Sequence, residues 1–320
     1  MYLGIEIGGT KLQLGLGAGN GVLNGLWRRT VDVAAGPEGI RRQITAAVPE
    51  LLTKADIDRS ALKGIGIGFG GPVDDTARTI IKSHQIEGWD NFPLADWISE
   101  LVGLPSVLGN DADVAGLAEA LHGAGKGLSP IFYITIGSGI GGGLIIDGEI
   151  YRGVGRGAAE IGHLKIPVWN GSDLLTETLE DVASGWGMTR RAKYLIGTER
   201  AEDSSVLPLA GGDPGNVSAT VLGQAAADGD PFAKKVIQES CEALADSICH
   251  VIALLCPRRI VIGGGVALIG EKLLFDPVRK LVNGRVFKPF AGLTDIVPAA
   301  LGEEVVVHGA LALARKRLRG

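Results

Sequence analysis

The stretch "RGAAEIGHLKI" at 156–166 sets a carboxylate, Glu160, three residues before an imidazole, His163, in a run that is otherwise mostly small and apolar. Polar groups in such a run need a partner or a task, because burying them unpaired is costly. Glu-x-x-His is also the ligand pattern of carboxylate-bridged metal sites in helix bundles, which need two copies on long helices. The second copy, Glu119-Ala-Leu-His122, closes a helical stretch and reads as a pair on a helix surface. The first contains Gly162 and lies between strand-like runs. A di-metal centre is therefore excluded on context and ligand count.

Other residues point to phosphate chemistry. In "EIGGTK" (6–11) and "TIGSGIGGG" (135–143), successive Gly, Ser and Thr residues at tight turns expose backbone N–H groups and hydroxyls. Such turns cradle phosphate oxygens. "VIGGGVA" (261–267) ends a strand in three glycines. Lys126 in "GAGKG" is not followed by Ser or Thr, so it is no Walker loop. The G-x-G-x-x-G matches at Gly66 and Gly137 run into Pro72 and into a strand, where a dinucleotide site needs a helix N-terminus. In "LGNDADVAGLAEA", Asn110 and Asp111 sit where a strand ends and a helix begins. Either can be a plain helix cap. A carboxylate beside an amide can also bind a hydroxyl and take its proton, as a kinase aspartate does.

The elements that hold these residues alternate between strands and helices, which predicts an α/β protein. "GIEIGGTKLQLGL" and "YITIGSGIGGGLII" each read as a strand, a glycine turn and a second strand, with Gly8 and Gly137 in register. That pattern predicts a duplicated domain. Helices are expected at "GPEGIRRQITAAVPELLTKA", with Pro37 near its start, and at "DPFAKKVIQESCEALADSICHVIALLC", capped by Asp230. At 320 residues the chain is long enough for two domains. A net charge of −5 argues against a general nucleic-acid binder, and no apolar run is long enough to span a membrane. Cys241, Cys249 and Cys256 recur at helical spacing and read as buried thiols, which fits a reducing cytoplasm. No signal-peptide pattern opens the chain.

Taken in order, "GIEIGGTK", "GGPVD", "GWDNFPL", "LGNDADVAGLAEA", "TIGSGIGGGLIIDGEIYRG", "AAEIGHL", "LEDVASG" and "IVIGGGV" resemble the ROK family of bacterial sugar kinases, within the actin/hexokinase superfamily. The resemblance implies an actin-like (ribonuclease H-like) ATPase fold of two α/β domains flanking a cleft. Residues 1–110 with 302–320 would form the small domain and 111–301 the large one. It also implies ATP-dependent phosphorylation of a glucose-like hexose at the 6-hydroxyl, with Asp111 as general base. Gly71, Asn110, Glu160, His163 and Glu180 would bind sugar. Gly9, Thr10, Lys11, Thr135 and Gly137 would face the phosphates, Gly264 and Gly265 the adenosine side, and Glu6 the magnesium that arrives with ATP. A homodimer is the family expectation.

The chain departs from the family pattern in several places. Glu6 stands where the family usually has Asp, Gly70 where proline is usual, and Gln85 where asparagine is common. Many members follow His163's counterpart with a cysteine-rich zinc loop, whereas "LKIPVWNGSDLLTETLEDVASG" has no cysteine. No structural zinc is therefore expected, and packing around Trp169 would hold the loop. Family repressors carry an N-terminal helix-turn-helix, and this chain opens on its first strand. Two alternatives remain: a non-catalytic sugar-binding regulator, and a hexokinase that uses polyphosphate.

Overall fold

The structure, a computed structural model, describes residues 1–83, 86–155, 157–170, 173–198 and 203–318. Gln85 and the side chain of Trp169 lie outside the described residues. The chain forms two compact units. One comprises 1–133, 143–159 and 299–320, the other 134–142 and 160–298.

In the first unit, alternating apolar residues build β1 (Tyr2–Ile7) and β2 (Lys11–Gly17), which pair antiparallel, and β2 pairs in turn with β3 (Leu23–Thr30). Helix α1 (Gly36–Lys54) follows, with proline in its first turn, where a missing N–H costs nothing. Then come β4 (Ile65–Phe69), the short pair β5 (Val73–Asp74) and β6 (Thr79–Ile80), α2 (Leu94–Val102), β7 (Ser106–Asn110) and α3 (Asp111–His122). The sheet order is β3-β2-β1-β4-β7, with β1, β4 and β7 parallel.

Strand periodicity sends Leu3, Ile5 and Ile7 to one face of β1, in a core with Ile40 and Ile44 of α1. Tyr2, Gly4 and Glu6 take the other face. There Tyr2 packs with Val307, Leu311 and Ala314, residues of the last helix.

The second hairpin is β8 (Ile131–Ile136) and β9 (Ile140–Ile146), followed by β10 (Glu149–Ile150). The segment after His163 folds as an antiparallel ribbon, β11 (Lys165–Asn170) with β12 (Asp173–Thr178). Helices α4 (Leu179–Ala183), α5 (Gly185–Thr198), α6 (Val206–Leu209), α7 (Ala219–Ala227) and α8 (Pro231–Leu255) come next. The chain ends with β13 (Arg259–Gly263), α9 (Asp276–Arg285), β14 (Asp295–Pro298) and α10 (Val305–Arg317). The second sheet has the order β10-β9-β8-β13-β14. It repeats the first strand for strand, as expected from the register of Gly8 with Gly137.

Two expectations are corrected. Glu119 is not on a helix surface: it is fully buried and accepts from the N–H groups of Ala124 (2.7 Å), Ala300 (2.9 Å) and Leu301 (2.9 Å). Three amide donors replace the water that the carboxylate loses. Cys241 is buried, but Cys256 is the C-cap of α8 in a left-handed conformation and only half-buried, so the thiols do not share one buried face. Among the described residues, no helix is long and apolar enough to cross a membrane.

Candidate functional site

In the first unit, the carboxyl ends of three parallel strands carry the candidate residues. β1 runs into the turn Gly8–Thr10, β4 into Gly70 and Gly71, and β7 into Asn110 and Asp111. Carboxyl ends of parallel strands are where α/β sheets bind ligands. The turn closes with Gly8 N–H donating to the Lys11 carbonyl (3.0 Å), and Gly70 N–H donates to the Ile7 carbonyl (2.9 Å), which ties the second end to the first. Thr10 is exposed and Gly9 half-buried.

Asn110 caps α3. Its Oδ1 accepts from the N–H groups of Ala112 (2.9 Å) and Asp113 (3.2 Å), and its Nδ2 donates to the Gly71 carbonyl (3.0 Å). Its acceptor is thus occupied, and one amide N–H remains beyond these bonds. Asp111, half-buried, is the first residue of α3, where the helix dipole favours negative charge. One of its oxygens accepts from Ala112 N–H (2.8 Å).

Glu6 lies opposite Gln13 in the β1–β2 register and is 5% exposed. Gln13 Nε2 donates to Glu6 (2.8 Å) and to the Glu303 carbonyl (2.9 Å), while its Oε1 accepts from Arg28 Nε (2.9 Å). Lys11 Nζ lies 3.3 Å from Glu6 and donates to the Glu303 carbonyl (2.8 Å). Burial pushes the Glu6 carboxyl up to about 7. Lys11 and Gln13 work against that rise, and the charge of Asp111 adds to it. Gln13 is a component that the sequence reading missed. A lone amide in the leucine strand "KLQLGLG" was the available signal.

In the second unit, the structure gathers several candidates around the turn 137–140. Gly137 N–H donates to the Gly139 carbonyl (2.9 Å). Gly185 N–H donates to the Gly137 carbonyl (2.8 Å) and Trp186 N–H to the Ser138 carbonyl (3.2 Å). Glu180, at the start of α4, accepts from Ile140 N–H (2.7 Å). Two glycines are there because backbone meets backbone: a Cβ on Gly162 would fall 2.1 Å from the Ile140 carbonyl, and one on Gly264 2.5 Å from that of Ile136. Gly264 also has φ +88°, open to glycine but not to most residues. Gly264 and Gly265 are exposed, and Thr135 is half-buried on β8.

Glu160 caps a short 3-10 turn, Ile161–His163, and His163 ends it; both are exposed. Among the described residues, no group of three or more His, Cys, Asp or Glu is arranged to hold a metal ion.

The sequence profile of the ROK family matches residues 2–317. A glucokinase of Halalkalibacterium halodurans is 32% identical over 311 residues, covering 96% of this chain and 93% of its own length. The solved structure of a ROK family glucokinase from Streptomyces griseus, in complex with glucose and AMPPNP, superposes with a TM-score of 0.81 at 30% identity, covering 98% of this chain and 99% of the other. A xylose repressor of Caldicellulosiruptor bescii is 25% identical, covering 86% of this chain and 68% of its own length.

Proposed function

Because the chain belongs to the ROK family, with the actin-like fold of its sugar kinases, we propose that it is an ATP-dependent hexose kinase acting on the 6-hydroxyl of a glucose-like sugar. The observation that carries this reading is the Asn110–Asp111 junction: a carboxylate at a helix start, beside the capping amide with one N–H to offer a hydroxyl.

In the proposed reaction Asp111 accepts the proton of the 6-hydroxyl. The sugar oxygen attacks the γ-phosphorus, the bond to the β–γ bridging oxygen breaks, and ADP leaves. Gly71, Asn110, Glu160, His163 and Glu180 are the proposed sugar ligands. The N–H groups of the two glycine turns, with Thr10, Lys11 and Thr135, are the proposed partners of the phosphates. Gly264 and Gly265 fall to the adenosine side.

Magnesium asks for only one or two carboxylates besides phosphate oxygens and water. Glu6 fits that demand, since each of its oxygens keeps a lone pair beyond the bonds from Gln13 and Lys11. Glu6 would hold the ion, which would neutralise charge on the transferring phosphoryl group. The reading is completed by a cytoplasmic homodimer with no nucleic-acid or membrane partner. A monomer in sedimentation equilibrium would contradict the dimer.

The test is a coupled ADP-release assay over a panel of hexoses. Release with at least one glucose-like hexose supports the proposal. Thermal stabilisation by a sugar without ADP release from any would favour a sugar-binding regulator. Phosphorylation with polyphosphate and not with ATP would change the donor.

A further inference from the structure

The corner between α4 and α5 holds three residues of the turn 137–140. Two are bonded by main chain, through Gly185 and Trp186. The third, Ile140, is held by the Glu180 carboxylate, a charge-assisted bond of 2.7 Å. The helix start that presents Glu180 is fixed independently. Asp181 N–H donates to the Thr178 hydroxyl (3.0 Å), and Thr178 N–H donates to the Asp181 carboxylate (3.2 Å).

Glu180 also explains a residue type on the turn. A Cβ on Gly139 would fall 2.3 Å from Glu180 Oε2 and 3.1 Å from its carboxyl carbon. The carboxylate fills the space that a side chain at 139 would need. Gly139 is thus the complement of Glu180 and not a requirement of backbone conformation, because its φ is not in the left-handed region.

We propose that Glu180 is a two-sided positioning residue, coupling sugar occupancy to the shape of the second phosphate turn; this rests on the kinase reading above. An ionised carboxylate accepts about four hydrogen bonds. Glu180 gives one position to Ile140 N–H and offers another to a sugar hydroxyl. A hydroxyl bound there restrains the carboxylate, and the restrained carboxylate restrains the turn. Nucleotide then meets a turn already set. By reciprocity, nucleotide tightens sugar binding by the same factor.

The test measures AMPPNP affinity, with magnesium, in the absence and presence of saturating glucose. Wild type is expected to bind AMPPNP at least about fivefold more tightly with glucose. Gly139→Ala displaces the end of a flexible side chain and no backbone. Its coupling is expected to fall to about one, with glucose raised until the variant is saturated, because the displaced carboxylate is also a proposed sugar ligand. Glu180→Gln retains an acceptor for Ile140 N–H and keeps part of the coupling, whereas Glu180→Ala keeps none. A gain in Gly139→Ala equal to that of wild type overturns the proposal, as does a wild type that binds both ligands without coupling. A wild type that binds no hexose defeats the kinase reading itself, and this inference with it. Should Gly139→Ala not fold, the Gln and Ala variants at 180 decide: equal coupling in both overturns it.

Discussion

The two glycine turns occupy the same place in two sheets of the same strand order, yet they are held in different ways. The first, Gly8–Lys11, is flanked by side chains: Lys11 and Gln13 both meet Glu6 and both donate to the Glu303 carbonyl. The second, Gly137–Ile140, takes main-chain bonds from Gly185 and Trp186 and one bond to the Glu180 carboxylate, with Gly264 pressed against Ile136. The consequence is physical. A turn flanked by ionisable side chains responds to pH and salt. A turn held by close backbone contact responds to volume.

The largest expected effect follows from that contact. Gly264→Ala would force a Cβ into the Ile136 main chain at positive φ, costing at least about 3 kcal/mol. Gly8→Ala is the comparison change in the first turn. Its Cβ would meet only the Lys11 carbonyl, at 3.2 Å, and the cost is expected to stay near about 1 kcal/mol. Urea midpoints of the two variants measure the contrast, and equal losses would erase it.

Next comes pH. The Glu6 carboxyl is raised from 4.5 to about 7 in the folded chain, mainly by burial. Below the unfolded value both states hold the proton, and the group imposes no charge penalty. As pH climbs through 4.5 towards 7, the unfolded chain releases its proton first, and stability falls by about 3 kcal/mol. Glu6→Gln removes this slope, so its stability relative to wild type should improve across that window and level off above it. Comparing the two proteins' unfolding free energies at acid and mildly alkaline pH cancels all other titrating groups. A constant difference would mean that Glu6 is not desolvated as described.

The smallest effect lies at the edge of the same network. Arg28 joins Gln13 to the carboxylates of Glu303 and Glu304 and is itself partly exposed. Its ion pairs are worth at most about 1 kcal/mol and weaken with salt. Arg28→Ala should therefore shift stability little, and less still in high salt. A large, salt-independent loss would point to a buried role.

Much of this arrangement was legible in the sequence. The glycine turns between alternating strands, the Asp230–Pro231 start of α8 and the Asn110–Asp111 helix start all rest on local pattern. The misses share a cause. Glu119 bonds to Ala300 and Leu301, and Gln13 to Glu303, partners 181, 182 and 290 residues away, which no local pattern reveals. The ribbon β11–β12 escaped for another reason: Leu174 and Leu175 are both exposed, so β12 lacks the alternation that marks a half-buried strand.

The central claim is that Asp111 takes the proton of a hexose hydroxyl. Asp111→Asn tests it most directly, because it preserves shape and removes the base. ADP release with the preferred hexose should fall by about 100-fold or more, while calorimetric affinity for that sugar stays within several-fold of wild type. Turnover near the wild-type rate, with sugar binding intact, would contradict the account.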